Sequence, residues 1–180
     1  MRPSEARARE RVSELLVWAG TELGFAPTAL RPCAADLVAQ ACRSQGVASL
    51  PAAHEELLLQ AGGGGPDSAL VAIFGDDLVG IDAMFGGLGA APMRQVGLEL
   101  IESLGYGLDE FDVVIRVRTG EDVEYVVTGS PDPPVWAFDV DADDPVLRHP
   151  SFTDWFEHRV HRAVKRRHPL KRVRPPTAQT

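Results

Sequence analysis

Apolar positions along the first third of the chain recur at helical spacing. In SEARARERVSELLVWAGTEL (4–23), Val12, Leu15, Leu16, Ala19 and Leu23 fall on one face. Ser4 suits the N-cap, and Gly24 and Pro27 end the helix. CAADLVAQACRSQ (33–45) repeats the pattern, with Leu37, Val38, Ala41 and Cys42 inward and Gly46 as its stop. LPAAHEELLLQAGGGG (50–65) puts Leu50, Ala53, Leu57, Leu58 and Ala61 on one stripe. Pro51 marks its start and the glycines its end.

The period then changes. ALVAIF (69–74) is a continuous apolar run that reads as a short buried strand, which LVGI (78–81) extends or pairs with. Pro92 opens another helix with Met93, Val96, Leu100, Ile101 and Leu104 on one face, closed by Gly105. FDVVIRVR (111–118), VEYVVT (123–128) and VWAFDV (135–140) are β-branched and aromatic, and the turns TGED and GSPDPP separate them. They predict three meandering antiparallel strands, with Arg116 and Arg118 on a wet face. A last helix starts at 150–154 with Ser151 as cap and Asp154 three residues on; Phe152, Trp155, Phe156, Val160, Ala163 and Val164 form its apolar stripe. Helices, then strands, then a closing helix predict an α+β fold: a mostly antiparallel β-sheet flanked by helices, with an extra N-terminal helix. The expected organisation is a helical extension at 1–30, an α+β domain at 31–164 and a basic, flexible tail at 165–180.

Charge changes this picture. The net charge of −8 is unevenly placed: residues 1–157 carry all 26 acidic residues against 10 basic ones, whereas 158–180 carry 8 basic and none acidic. An acidic body disfavours nucleic acid as a partner and favours a basic macromolecule. No run of about 18 apolar residues is present for a membrane span, and the mixed-charge N-terminus lacks the apolar region of a secretion signal, so the expected location is cytoplasmic. Two cysteines, Cys33 and Cys42, are too few for a disulfide framework.

Leu50-Pro51, His54, Leu57-Leu58 and Gly62-Gly63-Gly64, followed by strands and then Ser151-Phe152-Thr153-Asp154-Trp155-Phe156, are ordered in a way that resembles the SUKH superfamily (the Smi–Knr type). In that family Leu-Pro precedes an aromatic, a Phe-Leu pair and Asn-Gly-Gly; here His54 stands for the aromatic and Gly62 for the Asn. The resemblance covers roughly 33–160. It implies a SUKH-like fold in which Leu50 and Leu57 plug a hydrophobic layer and the glycines swing the chain from helix to sheet. It also implies the work of an immunity protein that neutralises a toxin. A phosphate-cradling loop would need its glycines before a helix, with a lysine nearby; here they follow one.

Candidate chemistry is sparse. Asp139, Asp141 and Asp143 have the one-three-five spacing of a calcium loop, but Asp144 stands where its glycine belongs and Pro150 where its glutamate belongs. His158 and His161, one turn apart near Glu157, are too few ligands for a zinc site. Cys33 and Cys42 lie in an alanine-rich segment suited to packing, Gly129-Ser130 lacks a nucleophile elbow, and Asp76-Asp77 fit a turn. His54 reads as a packing residue. The expectation is therefore a non-enzymatic domain, with no cofactor or metal, that binds a protein partner, a cognate toxin such as a nuclease. Glu121, Asp122, Glu124, Asp132, Asp139, Asp141, Asp143 and Asp144 would grip its basic residues around the anchor Trp136. The alternative is a regulatory interaction module of the same fold without a toxin. The oligomeric state is left open.

Overall fold

The computed structural model describes residues 2–63, 68–74, 90–103, 112–118, 122–139 and 144–167, together with Gly105, Gly107 and Asp109. The fold is α+β. Helices α1 (Pro3–Leu23), α2 (Ala35–Gln45), α3 (Ala52–Ala61), α4 (Ala69–Phe74) and α5 (Ala90–Ser103) precede strands β1 (Asp112–Arg118), β2 (Asp122–Val127), β3 (Val135–Asp139) and β4 (Val146–His149), and α6 (Phe152–Arg167) closes the chain. The strands form one antiparallel sheet in the order β1-β2-β3-β4.

Most predicted faces are buried as expected. Val12, Leu15, Leu16, Ala19 and Leu23 of α1 and Leu50, Ala53, Leu57, Leu58 and Ala61 around α3 all lie in the core. Gly24 and Gly46 stop their helices in the left-handed conformation that glycine tolerates. The cap of α1 is a correction: Arg2, not Ser4, occupies it, with Pro3 in the first turn and Glu5 accepting the Arg2 backbone N–H at 3.0 Å. Nor is α1 an appendage. Its apolar face shares the central core, Arg9 pairs with Glu55 and Glu56 of α3, and Arg11 reaches Glu157 of α6 at 2.8 Å.

The segment 69–74 is the second correction, a helix where a strand was predicted. A short apolar run carries no period of its own, so its packing decides. Ala69, Leu70, Ile73 and Phe74 are buried while Val71 and Ala72 are more open, a helical spacing, and the turn packs against α6 and α1. Phe74 lies 5.7 Å from Trp155, ring centre to ring centre, and 6.2 Å from Phe156; Phe152 in turn meets Trp155 and His54 at 5.1 Å each. This aromatic chain joins α3, α4 and α6. The glycines after α3 therefore do not lead into a sheet. Gly63 is needed for close approach instead: its N–H donates to the Arg31 carbonyl at 2.6 Å, where a Cβ would meet that oxygen at 2.8 Å. The segment 78–81 lies outside the described residues, as do Asp76, Asp77 and positions 168–180 of the expected 165–180 tail; Lys165, Arg166 and Arg167 are not tail but the last turn of α6.

The register sets two sheet faces. Val113, Arg116, Glu124, Val126, Val135 and Ala137 face the layer that contains α6, where Trp155 and Arg159 reach Glu124. Val114, Val123, Tyr125, Trp136 and Phe138 face the other way, and α5 covers the β1–β2 part of that side. Gly97 brings it within van der Waals reach of Val114 and Val123. A third correction follows from a bulge between Val114 and Arg116: Arg116 is buried, not on a wet face, and sits opposite Glu124. A fourth strand, β4, was not predicted; it is short and exposed. At the β1 edge the buried Gln45 side chain takes a strand's place. Its amide donates to the Val114 carbonyl at 3.1 Å and accepts the Val114 N–H at 3.2 Å.

Candidate functional site

Among the described residues, the expected acidic side chains do not share one exposed patch. Glu124, on the central strand β2, is 4% exposed and points at α6. Arg159 donates to both of its oxygens, Trp155 Nε1–H donates at 2.9 Å, and Arg116 lies 3.4 Å away. Burial alone would raise this carboxyl; Arg159, Arg116 and the indole N–H overcome that and hold it below the usual range. Asp122 accepts from Arg116 at 3.0 Å, yet burial outweighs that arginine and its carboxyl lies above the ordinary value. Asp132, in the β2–β3 turn, serves α6. It accepts the Thr153 N–H at 2.9 Å and the Thr153 hydroxyl at 2.6 Å, while Ser151 Oγ accepts the Asp154 N–H at 3.0 Å. The neighbouring Pro131 carbonyl accepts the Ala53 N–H, so this turn braces α3 and α6 together. Glu121, Asp141 and Asp143 lie outside the described residues, as does the side chain of Asp139.

Trp136 and Asp144 are placed differently. Trp136 lies half-buried on the second sheet face, between Tyr125 on β2 and Leu147 on β4, beyond the part covered by α5. Leu147 is 50% exposed and Val127 39%. An open hollow of about 440 Å³ forms there, lined by Asp109, Asp112, Tyr125, Val127, Trp136 and Pro145, and the exposed Asp144 precedes that proline. Burial, opposed by the Asp109 N–H and Arg94, leaves the Asp112 carboxyl above its ordinary range. Burial first, then Asp112 and Asp109, pushes the Tyr125 hydroxyl up to about 12. The hollow is thus aromatic, apolar and negative, a combination suited to a cationic side chain.

Asp109, Asp112 and Tyr125 escaped sequence reasoning because no short spacing links the segment before β1 to β2. Arg159 left a signal: it follows Trp155 by four residues and precedes Ala163 by four, within the apolar stripe of α6. A charge at such a position calls for a buried counter-charge. Among the other candidates, burial raises both cysteine thiols, with Asp36 adding to the effect at Cys33, so neither is poised as a thiolate. His158 and His161 are exposed, and among the described residues no three His, Cys, Asp or Glu side chains converge as metal ligands would. Among the described residues, no helix is long and apolar enough to cross a membrane. No family model, curated protein or solved structure matches the chain.

Proposed function

We propose that this chain is a non-enzymatic protein-binding domain, an immunity protein of the SUKH kind, which occludes a cognate toxin by receiving an arginine or lysine of that toxin in the Trp136 hollow. The observation that carries the reading is the hollow itself. Two carboxylates, Asp109 and Asp112, stand beside Trp136 and Tyr125 on the outer sheet face, with Val127 and Leu147 as an exposed apolar rim. A guanidinium docked there would gain cation–π contact and a charge partner for the partly desolvated Asp112, and the aromatic would act as the anchor of the interface. The net charge of −8 would speed encounter with a basic partner. The burial of Leu50 and Leu57 and the closing helix after the strands agree with the SUKH resemblance, whereas the helix α4 after the glycines departs from it.

The test is co-expression with the product of the neighbouring gene. The intact chain rescues growth and binds that product, whereas Trp136→Ala and Asp112→Asn each weaken binding by about tenfold or more while the circular dichroism spectrum is kept. Binding unchanged in both variants sinks the hollow as the docking surface. Absence of rescue with retained binding favours the regulatory module over the immunity protein.

A further inference from the structure

The floor of the Trp136 hollow is one row of side chains across three strands. Leu147 on β4, Trp136 on β3 and Tyr125 on β2 are direct cross-strand partners, so all three stand on the outer sheet face. Asp112 lies beyond them at the start of β1, two strand spacings or about 10 Å across the sheet from Trp136. Exposure is graded along this line. Leu147 is 50% exposed and Trp136 half-buried, whereas Tyr125 and Asp112 are buried, so the hollow is entered from the β4 side and ends on a carboxylate. Among the described residues that carboxylate accepts one hydrogen bond, from the Asp109 N–H at 2.9 Å, which is few for a charge so withdrawn from water. Asp109 and Asp112 both lie within electrostatic reach of the Tyr125 hydroxyl. Arg94 of α5 is a basic neighbour, and its guanidinium is engaged by backbone: it donates to the Asp112 carbonyl and, at 3.3 Å, to the Asp109 carbonyl. The chain segments that lead into β1 and join β3 to β4, 104–111 and 139–145, bring further acids and no lysine or arginine.

We propose that the occupant of this hollow is specifically an arginine of the partner protein, its stem over Leu147 and its guanidinium between the Trp136 ring and the carboxylates of Asp112 and Asp109. The inference rests on the docking reading above and narrows it from two basic side chains to one. Shape decides between them. A flat guanidinium stacks on an indole and still directs forked N–H donors sideways, a branch to each carboxylate. An ammonium is a compact, strongly hydrated point charge, which leaves one acid unmatched or keeps its water. Dehydration acts in the same direction, because the guanidinium is the more weakly hydrated cation and the ring and Leu147 exclude water from it.

The full chain is titrated at neutral pH and constant ionic strength with two blocked tripeptides, acetyl-Gly-Arg-Gly-amide and acetyl-Gly-Lys-Gly-amide, while the indole N–H resonances are followed by NMR. Trp155, whose Nε1–H is buried against Glu124, is the internal reference. A saturable shift is expected at Trp136 and none at Trp155. The arginine peptide is expected to bind about tenfold more tightly, the effect of one further charge-assisted hydrogen bond. Symmetric dimethylation of that arginine keeps its charge but blocks the fork, and is expected to bring its binding down to that of lysine. Asp112→Asn is expected to reduce the preference to about twofold, and Asp109→Asn, at an exposed position, makes the same test if Asp112→Asn does not fold. Leu147→Ala is expected to weaken both peptides alike and to keep the preference. Saturable binding at Trp136 without a preference, or with the methylated peptide bound as tightly as the unmodified one, overturns the arginine assignment and leaves the docking reading standing. Absence of a saturable Trp136 shift with the arginine peptide also overturns the assignment. The docking reading is judged separately, by partner binding of Trp136→Ala, which does not involve the peptides.

Discussion

Arg159 on α6 and Glu124 on β2 form a buried, doubly hydrogen-bonded ion pair, with Nη2 at 2.8 and 2.7 Å from the two carboxylate oxygens and both side chains 6% exposed. The pair fixes how the closing helix sits on the sheet, because Trp155 and Arg116 complete the shell of the same carboxylate. Charges withdrawn from water are tolerated there because the Glu124 carboxylate is met by Arg159, the Trp155 N–H and Arg116.

Removing one partner therefore has a large effect. Glu124→Ala leaves Arg159 and Arg116 buried together and is expected to destabilise the fold by about 3–5 kcal/mol. Urea unfolding followed by tryptophan fluorescence measures this. A loss below about 1 kcal/mol would mean the arginines find water instead.

Acid sensitivity comes from another position. His54 is 3% exposed and stacks on Phe152, and burial lowers its imidazole to about 4 from 6.5. The unfolded chain binds that proton first, so stability is full above pH 6.5 and falls by about 3 kcal/mol as pH drops towards 4. The same series of urea midpoints on His54→Leu is expected to lose that part of the slope. An identical slope would place the acid sensitivity elsewhere.

Asp132 separates a structural role from a binding one. Its carboxylate caps α6 through Thr153, so Asp132→Ala is expected to lower stability by about 1 kcal/mol. Partner binding at the Trp136 hollow should be kept in a titration below the unfolding transition. Loss of binding with unchanged stability would return Asp132 to the interface.

Gln45 closes the β1 edge by bonding both peptide groups of Val114. Gln45→Leu leaves a buried N–H and C=O without those bonds and is expected to cost about 1–3 kcal/mol. Amide exchange at Val114 should quicken more than at Val126 on the inner strand. Equal protection in the variant and parent would show that the edge is held by other contacts.

Much of this architecture was legible in the chain itself. The faces of α1 and α3, the stops at Gly24 and Gly46, the Ser151 cap and the three longer strands are written within a few residues of one another. Periodicity and capping act over that range, and one helical turn is enough to express them. Tertiary structure decided the rest. The run 69–74 became a helix because α6 and α1 offered it a surface, and an apolar hexamer has no period with which to resist. Glu124 and Asp132 read as free acids but are engaged by groups 35 and 21 residues away, and Arg116 turned inward because a bulge set it opposite Glu124. A charged side chain's role depends on which opposite charge the fold delivers to it, and chain order alone does not contain that distance.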